Sequence, residues 1–314
     1  MGLNGYVVIG SAIVGLLVGL TGAGGGALMT PMLILLFSVK PAAAISSDLV
    51  AAVVMRPVGA IVHLRKGTVN LRLVGLMTLG SVPMAFLGSY LLRLLGDTSS
   101  SQKNVEIVLG AALLAGAAAM VVRFVLDRKS GPRTATVAEV QIRPVPTVLI
   151  GMAGGLIVGL TSVGSGSLMI VLLLFAYPKL AAGRLVGTDL TQAVPLTAAA
   201  ALGALAFGHV EFGVTASIIV GSVPAVLIGS LFSSRAPDKY IRPAITFVIL
   251  ATGLKYVGLG TYPLAWAMGA VLAAAGGYWL VRTQPWRRRA SEAVSEAGPG
   301  PEPALEPADG VPVT

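Results

Sequence analysis

Apolar residues fall in blocks along nearly the whole chain, and polar residues are confined to the short stretches between them. The blocks predict helices near 5–20, 27–37, 44–63, 71–92, 105–126, 146–160, 167–176, 184–206, 211–234, 240–259 and 262–281. Several reach the length of about 20 residues that spans a hydrocarbon core of ~30 Å. Two blocks, 27–37 and 167–176, are about half that length, and a glycine-rich turn precedes each. The first block resembles a signal peptide only superficially. It has no basic leader, and the apolar pattern resumes six residues later, so it reads as mature structure. The one long polar connection is 127–145 (DRKSGPRTATVAEVQIRPV). From Pro285 the chain turns to WRRR and then to a Pro/Glu/Ala-rich run, which cannot bury a core and reads as a disordered tail.

Comparing the chain with itself reveals a duplication. GLTGAGGGALM at 19–29 matches GLTSVGSGSLM at 159–169, an offset of 140. One inserted residue later the match continues at offset 141. Asp48-Leu49 falls on Asp189-Leu190, Gly67-x-Val69 on Gly208-x-Val210, GSVP at 80–83 on GSVP at 221–224, and Gly88-Ser89 on Gly229-Ser230. The predicted organisation is a first membrane repeat (1–126), a cytoplasmic linker (127–145), a second repeat (146–259), an additional span (260–282) and a tail (283–314).

Composition sharpens the class. Of 314 residues, 55% are hydrophobic and 11% charged, with a mean hydropathy of +0.86. Soluble domains carry about a quarter charged residues, so this is an all-α polytopic membrane protein. The net charge of +9 does not indicate nucleic acid, because the basic residues sit in short connections rather than on one face. Absence of cysteine excludes thiolate chemistry and iron–sulfur clusters, and two histidines argue against a metal site. If 5–20 with 27–37 and 146–160 with 167–176 form hairpins, seventeen Lys/Arg lie on one side of the membrane and four on the other. Treating each pair as one broken crossing leaves 12 to 9. The positive-inside bias selects the hairpins, with the N-terminus outside and the tail cytoplasmic. Each repeat then has five helical legs, so the copies have inverted topology. Short, glycine-interrupted segments at matching positions of inverted repeats point to a transporter with a midplane site.

The two turns supply the candidate binding atoms. Thr21, Gly22, Gly24, Gly25 and Gly26 in the first, and Thr161, Ser162, Gly164, Ser165, Gly166 and Ser167 in the second, each precede a short apolar helix. Glycines let a ligand approach the backbone, and the helix N-terminus offers N–H groups and a positive dipole end to an anion. If the hairpins meet tip to tip, two donor nests face each other. The competing reading is that these glycines serve only tight helix packing, as Gly15, Gly19, Gly155 and Gly159 would. Gly22-x-Gly24-x-x-Ala27 also fits a dinucleotide fingerprint, but it lies in a long apolar helix rather than a βαβ unit.

Ionisable groups inside spans are costly and imply function or an internal partner. Asp48 and Asp189 are equivalent in the two repeats and are candidates for ion or proton coupling, or for capping the turns. Arg56 lies deeper, and its counterpart is the neutral Thr197. It is a candidate to hold an anion bidentately or to pair within the protein. It stands eight residues from Asp48, some 12 Å along a helix, too far for a direct pair. Gln192 is a weaker candidate. His63 and His209 end their spans and read as interfacial residues, which also argues against an intramembrane Ser/His protease. Trp279 and Trp286 read as interface anchors.

GLLVGLTGAGGGALMTPMLILL, AISSDL, HLRKGTVNLRL and GSVPMAFLGSYL, repeated as GLTSVGSGSLM, VGTDL, GHVEF and GSVPAVLIGS, resemble the TauE/SafE sulfite exporter family over roughly residues 7–258. The resemblance implies a bacterial cytoplasmic-membrane permease for small sulfur-containing anions such as sulfite, sulfoacetate, thiosulfate or organosulfonates. Many members carry a Thr-Ser pair where Ser47-Asp48 and Thr188-Asp189 stand here, so hydroxyl supply at that turn differs. The span 262–281 and the tail lie outside the family core. The expectation is a secondary transporter, not an enzyme, with no cofactor or metal. Its partners would be a small anion and the lipid bilayer, with a homo-oligomer left open. The alternative is a cation- or proton-coupled carrier of another solute built on Asp48 and Asp189.

Overall fold

The computed structural model of the chain describes residues 3–21, 25–65, 67–96, 99–129, 141–178, 180, 182–232 and 238–283. The described residues form eleven helices and no strand. They are α1 (Gly5–Thr21), α2 (Gly26–Phe37), α3 (Pro41–Arg65), α4 (Leu71–Gly96), α5 (Ser99–Lys129), α6 (Pro144–Thr161), α7 (Leu168–Ala176), α8 (Ala182–Phe207), α9 (Phe212–Phe232), α10 (Asp238–Tyr256) and α11 (Thr261–Thr283). Each expected block is a helix. Six are long and apolar enough to cross a membrane, and α1, α2 and parts of α10 and α11 are shorter apolar helices. The side chains of Trp279 and Trp286, most of the linker, and the tail from 284 lie outside the described residues, as do Gly22 and Gly24.

Local signals set several helix ends. Asn4 Oδ1 accepts the N–H groups of Tyr6 and Val7 at 3.1 and 3.5 Å, and Asn70 Oδ1 accepts those of Arg72 and Leu73 at 3.1 and 3.2 Å. Both are side-chain N-caps that satisfy otherwise unpaired donors. Helix α6 begins with Pro144, whose missing N–H costs nothing in a first turn. It ends at Ser162, which adopts the left-handed conformation at φ +59°.

Helices α1 to α10 belong to one compact unit, Met1–Gly260, and α11 to a second. Within the first unit the duplicated segments pack reciprocally. Helix α1 lies along α9, with Gly15 against Ser222 and Gly19 against Val226. Helix α6 lies along α4 in the same way, with Gly155 against Ser81 and Gly159 against Ala85. Exchanging the halves carries each contact onto its counterpart. At these four glycines a Cβ would overlap the facing backbone, so glycine is what lets the helices touch. In a bilayer such close approach is a main source of helix association.

The equivalent helices α3 and α8 cross antiparallel, with Ser46 by Gly208, Gly59 by Leu190, and His63 by Gly187. Two matching hydrogen bonds close the crossing: the Asn70 N–H donates to Thr188 Oγ1 at 3.1 Å, and the Glu211 N–H to Ser47 Oγ at 3.0 Å. Helices α5 and α10 also run antiparallel, with Gly110 by Tyr256 and Met120 by Thr246. The short legs α2 and α7, of 12 and 9 residues, are buried beside this centre. At 1.5 Å per residue they are roughly 18 and 14 Å long, well short of the ~30 Å hydrocarbon thickness. Large apolar side chains such as Leu36, Leu79, Phe175 and Leu231 cover the outer surface, as lipid contact requires.

Candidate functional site

The two glycine turns meet. Gly26, the first residue of α2, lies directly against the backbone carbonyl of Ser162, where a Cβ would overlap that oxygen. The expected tip-to-tip arrangement thus exists on the described side of the first turn, and Gly26 is required by contact rather than by dihedral angle. In the second turn the requirement is conformational. Gly164 and Gly166 have φ +126° and +91°, which side chains rarely adopt. Gly25 differs from Gly26, because a Cβ there would meet only side-chain ends at ordinary distances, Met55 at 3.6 Å and Val18 at 3.8 Å.

Beside this junction stand the buried charges. Asp48 enters from the second turn of α3 and is 2% exposed. Its Oδ2 accepts the hydroxyls of Thr30 on α2 at 3.0 Å and Ser162 at 2.7 Å. Asp48 therefore ties its own half to the tip of the other. Asp189 on α8 is fully buried, and its Oδ2 accepts the N–H of Gly166 at 2.7 Å. This bond occupies one of the amides expected to serve a ligand. Arg56 is 8% exposed. Among the described residues its guanidinium makes no hydrogen bond or ion pair, and its charge acts on Asp189 more strongly than on Asp48. The absence of a direct Asp48 pair agrees with their separation along α3. The stronger interaction lies across the α3–α8 crossing, in the other half.

The remaining expected site residues divide by what their hydroxyls do. Thr21 and Thr161 donate back into their own helices, to the carbonyls of Leu17 and Ile157, both at 2.7 Å. Thr161 Oγ1 also accepts the Val163 N–H at 3.1 Å, so it braces the turn. Ser165 is 2% exposed and its Oγ has no partner. Ser167 sits at the N-cap of α7 without a side-chain capping bond, facing the α5 backbone at Gly116. Gln192 is buried and donates from Nε2 to Ser81 Oγ at 2.5 Å. Thr197, the counterpart of Arg56, bonds the Ala193 carbonyl at 2.7 Å. His63 Nδ1 lies 3.0 Å from Thr68 Oγ1, and His209 is exposed after α8.

Two residues of the site were not singled out by sequence. Thr30 is the one hydroxyl in the otherwise apolar α2, a signal available in the sequence. Arg123 counts among the cytoplasmic loop charges by position, yet its charge acts on Asp189 from α5.

The arrangement has parts an anion site can use: glycine backbone in the described turn residues, and a buried cation that makes no ion pair among the described residues. It also holds two carboxylates that a bare anion trap would lack.

Comparison with known proteins places this architecture. The model of the family described as "Sulfite exporter TauE/SafE" matches residues 7–256, from the first turn of α1 to the end of α10. The match stops before α11, in keeping with its separate unit. The chain is 36% identical over 252 residues to a Bacillus subtilis (strain 168) protein named "Probable membrane transporter protein YjnA", covering 80% of this chain and 98% of that one. It is 23% identical over 248 residues to a second, "Probable membrane transporter protein YdhB" from the same organism, covering 79% and 98%. No solved structure matches. This multi-pass membrane protein belongs to the TauE/SafE sulfite exporter family.

Proposed function

We propose that the chain is a secondary transporter of small sulfur-containing anions, such as sulfite, sulfoacetate, thiosulfate or organosulfonates, bound where the two hairpin tips meet. The observation that carries this reading is the contact of Gly26 with Ser162, with a buried Arg56 that has no ion pair among the described residues. Arg56 would hold the oxyanion in bidentate fashion, and tip N–H groups would complete its shell. The antiparallel crossing of α3 and α8 supports two inverted repeats, and the reciprocal α1–α9 and α6–α4 contacts supply two bodies that could rock about the tips. A negative-inside potential favours anion export by about 2.3 kcal/mol per charge per 100 mV.

The test is flux of radiolabelled thiosulfate in proteoliposomes. The reading expects saturable transport that Arg56→Gln removes while the variant still inserts. Transport indifferent to Arg56→Gln would refute the site.

A second reading, a cation- or proton-coupled carrier of another solute, draws on the buried Asp48 and on the bond of Asp189 to Gly166. It expects solute transport without any anion dependence, abolished by Asp48→Asn or Asp189→Asn.

A further inference from the structure

The two equivalent aspartates are not equivalently satisfied. Asp48 has two hydroxyl donors, Thr30 and Ser162. Asp189 has one amide on Oδ2, and its fully buried Oδ1 has no partner. The duplication explains the difference. The counterpart of Thr30 is Ile170 and that of Ser162 is Gly22, so neither counterpart position carries a hydroxyl for Asp189. One turn along α8, Gln192 spends its Nε2–H on Ser81 and leaves Oε1 unpartnered. Residues three apart share a helix face. Helix α8 therefore presents two buried acceptor oxygens that receive no hydrogen bond, and Ser165 Oγ, next to Gly166, is unpartnered too.

Buried polar atoms are almost always paired. A proton on Asp189 Oδ1 turns one of these acceptors into a donor, and Gln192 Oε1, one turn along the same face, is an acceptor without a partner. We propose that Asp189 is the proton-binding group of this transporter and takes up one proton as the anion binds. This rests on the anion reading above. The charges acting on Asp189 are Arg56 from α3 and Arg123 from α5. Helix α3 further carries Asp48 and, at its end, His63. Helix α4 carries Arg72, Tyr90 and Arg93, all exposed, and α6 and α7 carry no titratable side chain. An anion that settles on Arg56 withdraws that counter-charge and adds a negative charge of its own. The carboxylate then takes a proton from whichever aqueous side the site faces. Asp48, held by its two hydroxyls, is not the proton site. A proton carried with a monoanion cancels the charge moved, whereas with a dianion one negative charge still crosses, so the membrane potential continues to favour export.

The experiment measures proton uptake on anion binding by the detergent-purified full chain, from the dependence of binding heat on buffer ionisation enthalpy, in sodium-free buffer near neutrality. The probes are thiosulfate and methanesulfonate, which are fully ionised there and contribute no proton. The expected result is roughly one proton per anion in the wild type, lost in Asp189→Asn and retained in Asp48→Asn, with affinity falling by up to about tenfold per pH unit as pH rises. Binding without proton uptake, uptake that survives Asp189→Asn, or binding that requires sodium overturns this proposal and leaves the anion site standing. Failure of both probes to bind the wild type overturns the two together. If Asp189→Asn does not fold, the wild-type uptake and pH dependence decide alone.

Discussion

The Ser162 hydroxyl donates to Asp48 Oδ2 at 2.7 Å, and this bond joins the hairpin tip of one half of the molecule to a central helix of the other. It spans 114 residues of sequence and lies wholly within the buried junction. Hydrogen bonds to charged groups contribute about 1.5–3 kcal/mol. Ser162→Ala is expected to lower stability by about that amount, read as a drop in Tm in detergent. Ser162→Thr, which keeps the hydroxyl at the cost of a β-branched residue at positive φ, should recover only part of it.

The contact between the tips separates two adjacent glycines. A methyl group on Gly26 would occupy the place of the Ser162 carbonyl, while one on Gly25 would touch the end of Met55 at 3.6 Å. Gly26→Ala should abolish thiosulfate flux or prevent folding, and Gly25→Ala should insert and transport. Equal behaviour of the two variants in a flux assay would show that the tips are not in contact.

Helix packing makes a similar distinction elsewhere. Gly159 and its counterpart Gly19 both face backbone of the other half, whereas Gly75 in α4 has open space at its Cβ position. Gly159→Ala and Gly19→Ala should each destabilise the protein strongly and to a similar degree. Gly75→Ala should be neutral or stabilising by up to about 1 kcal/mol, the helix-propensity difference. Thermal unfolding of the three variants checks this.

Most of the fold was legible because lipid imposes a simple pattern. Each apolar block had to be a helix, since a chain in hydrocarbon has no other way to satisfy its backbone. The apolar pattern marks only the part of a helix that contacts lipid or core, however. Helix α5 runs from Ser99 to Lys129 although its apolar block covers 105–126, because polar turns extend beyond the apolar segment at both ends. Self-comparison located the tips and the paired aspartates. It could not show that Arg56 acts on Asp189 as well as on Asp48, because Arg56 and Asp189 approach only through the crossing of α3 and α8. Arg123 was hidden for a related reason: a basic residue near the end of a span looks the same in sequence whether it points to water or back toward a buried carboxylate.

The charge at the centre of the site yields the last prediction. With Arg56 buried and acting on both aspartates, removing it should cost anion recognition more than it costs folding. The decisive measurement is thermal unfolding of the purified protein with sulfite, thiosulfate, sulfoacetate, taurine, acetate and chloride, in the wild type and in Arg56→Gln. A ligand at 100 times its Kd adds about 2.7 kcal/mol, a readily visible shift. The account predicts selective stabilisation of the wild type by one or more sulfur oxyanions and its loss in a folded Arg56→Gln. Stabilisation by none of them, or undiminished stabilisation of Arg56→Gln, would contradict an anion site at the meeting point of the two tips.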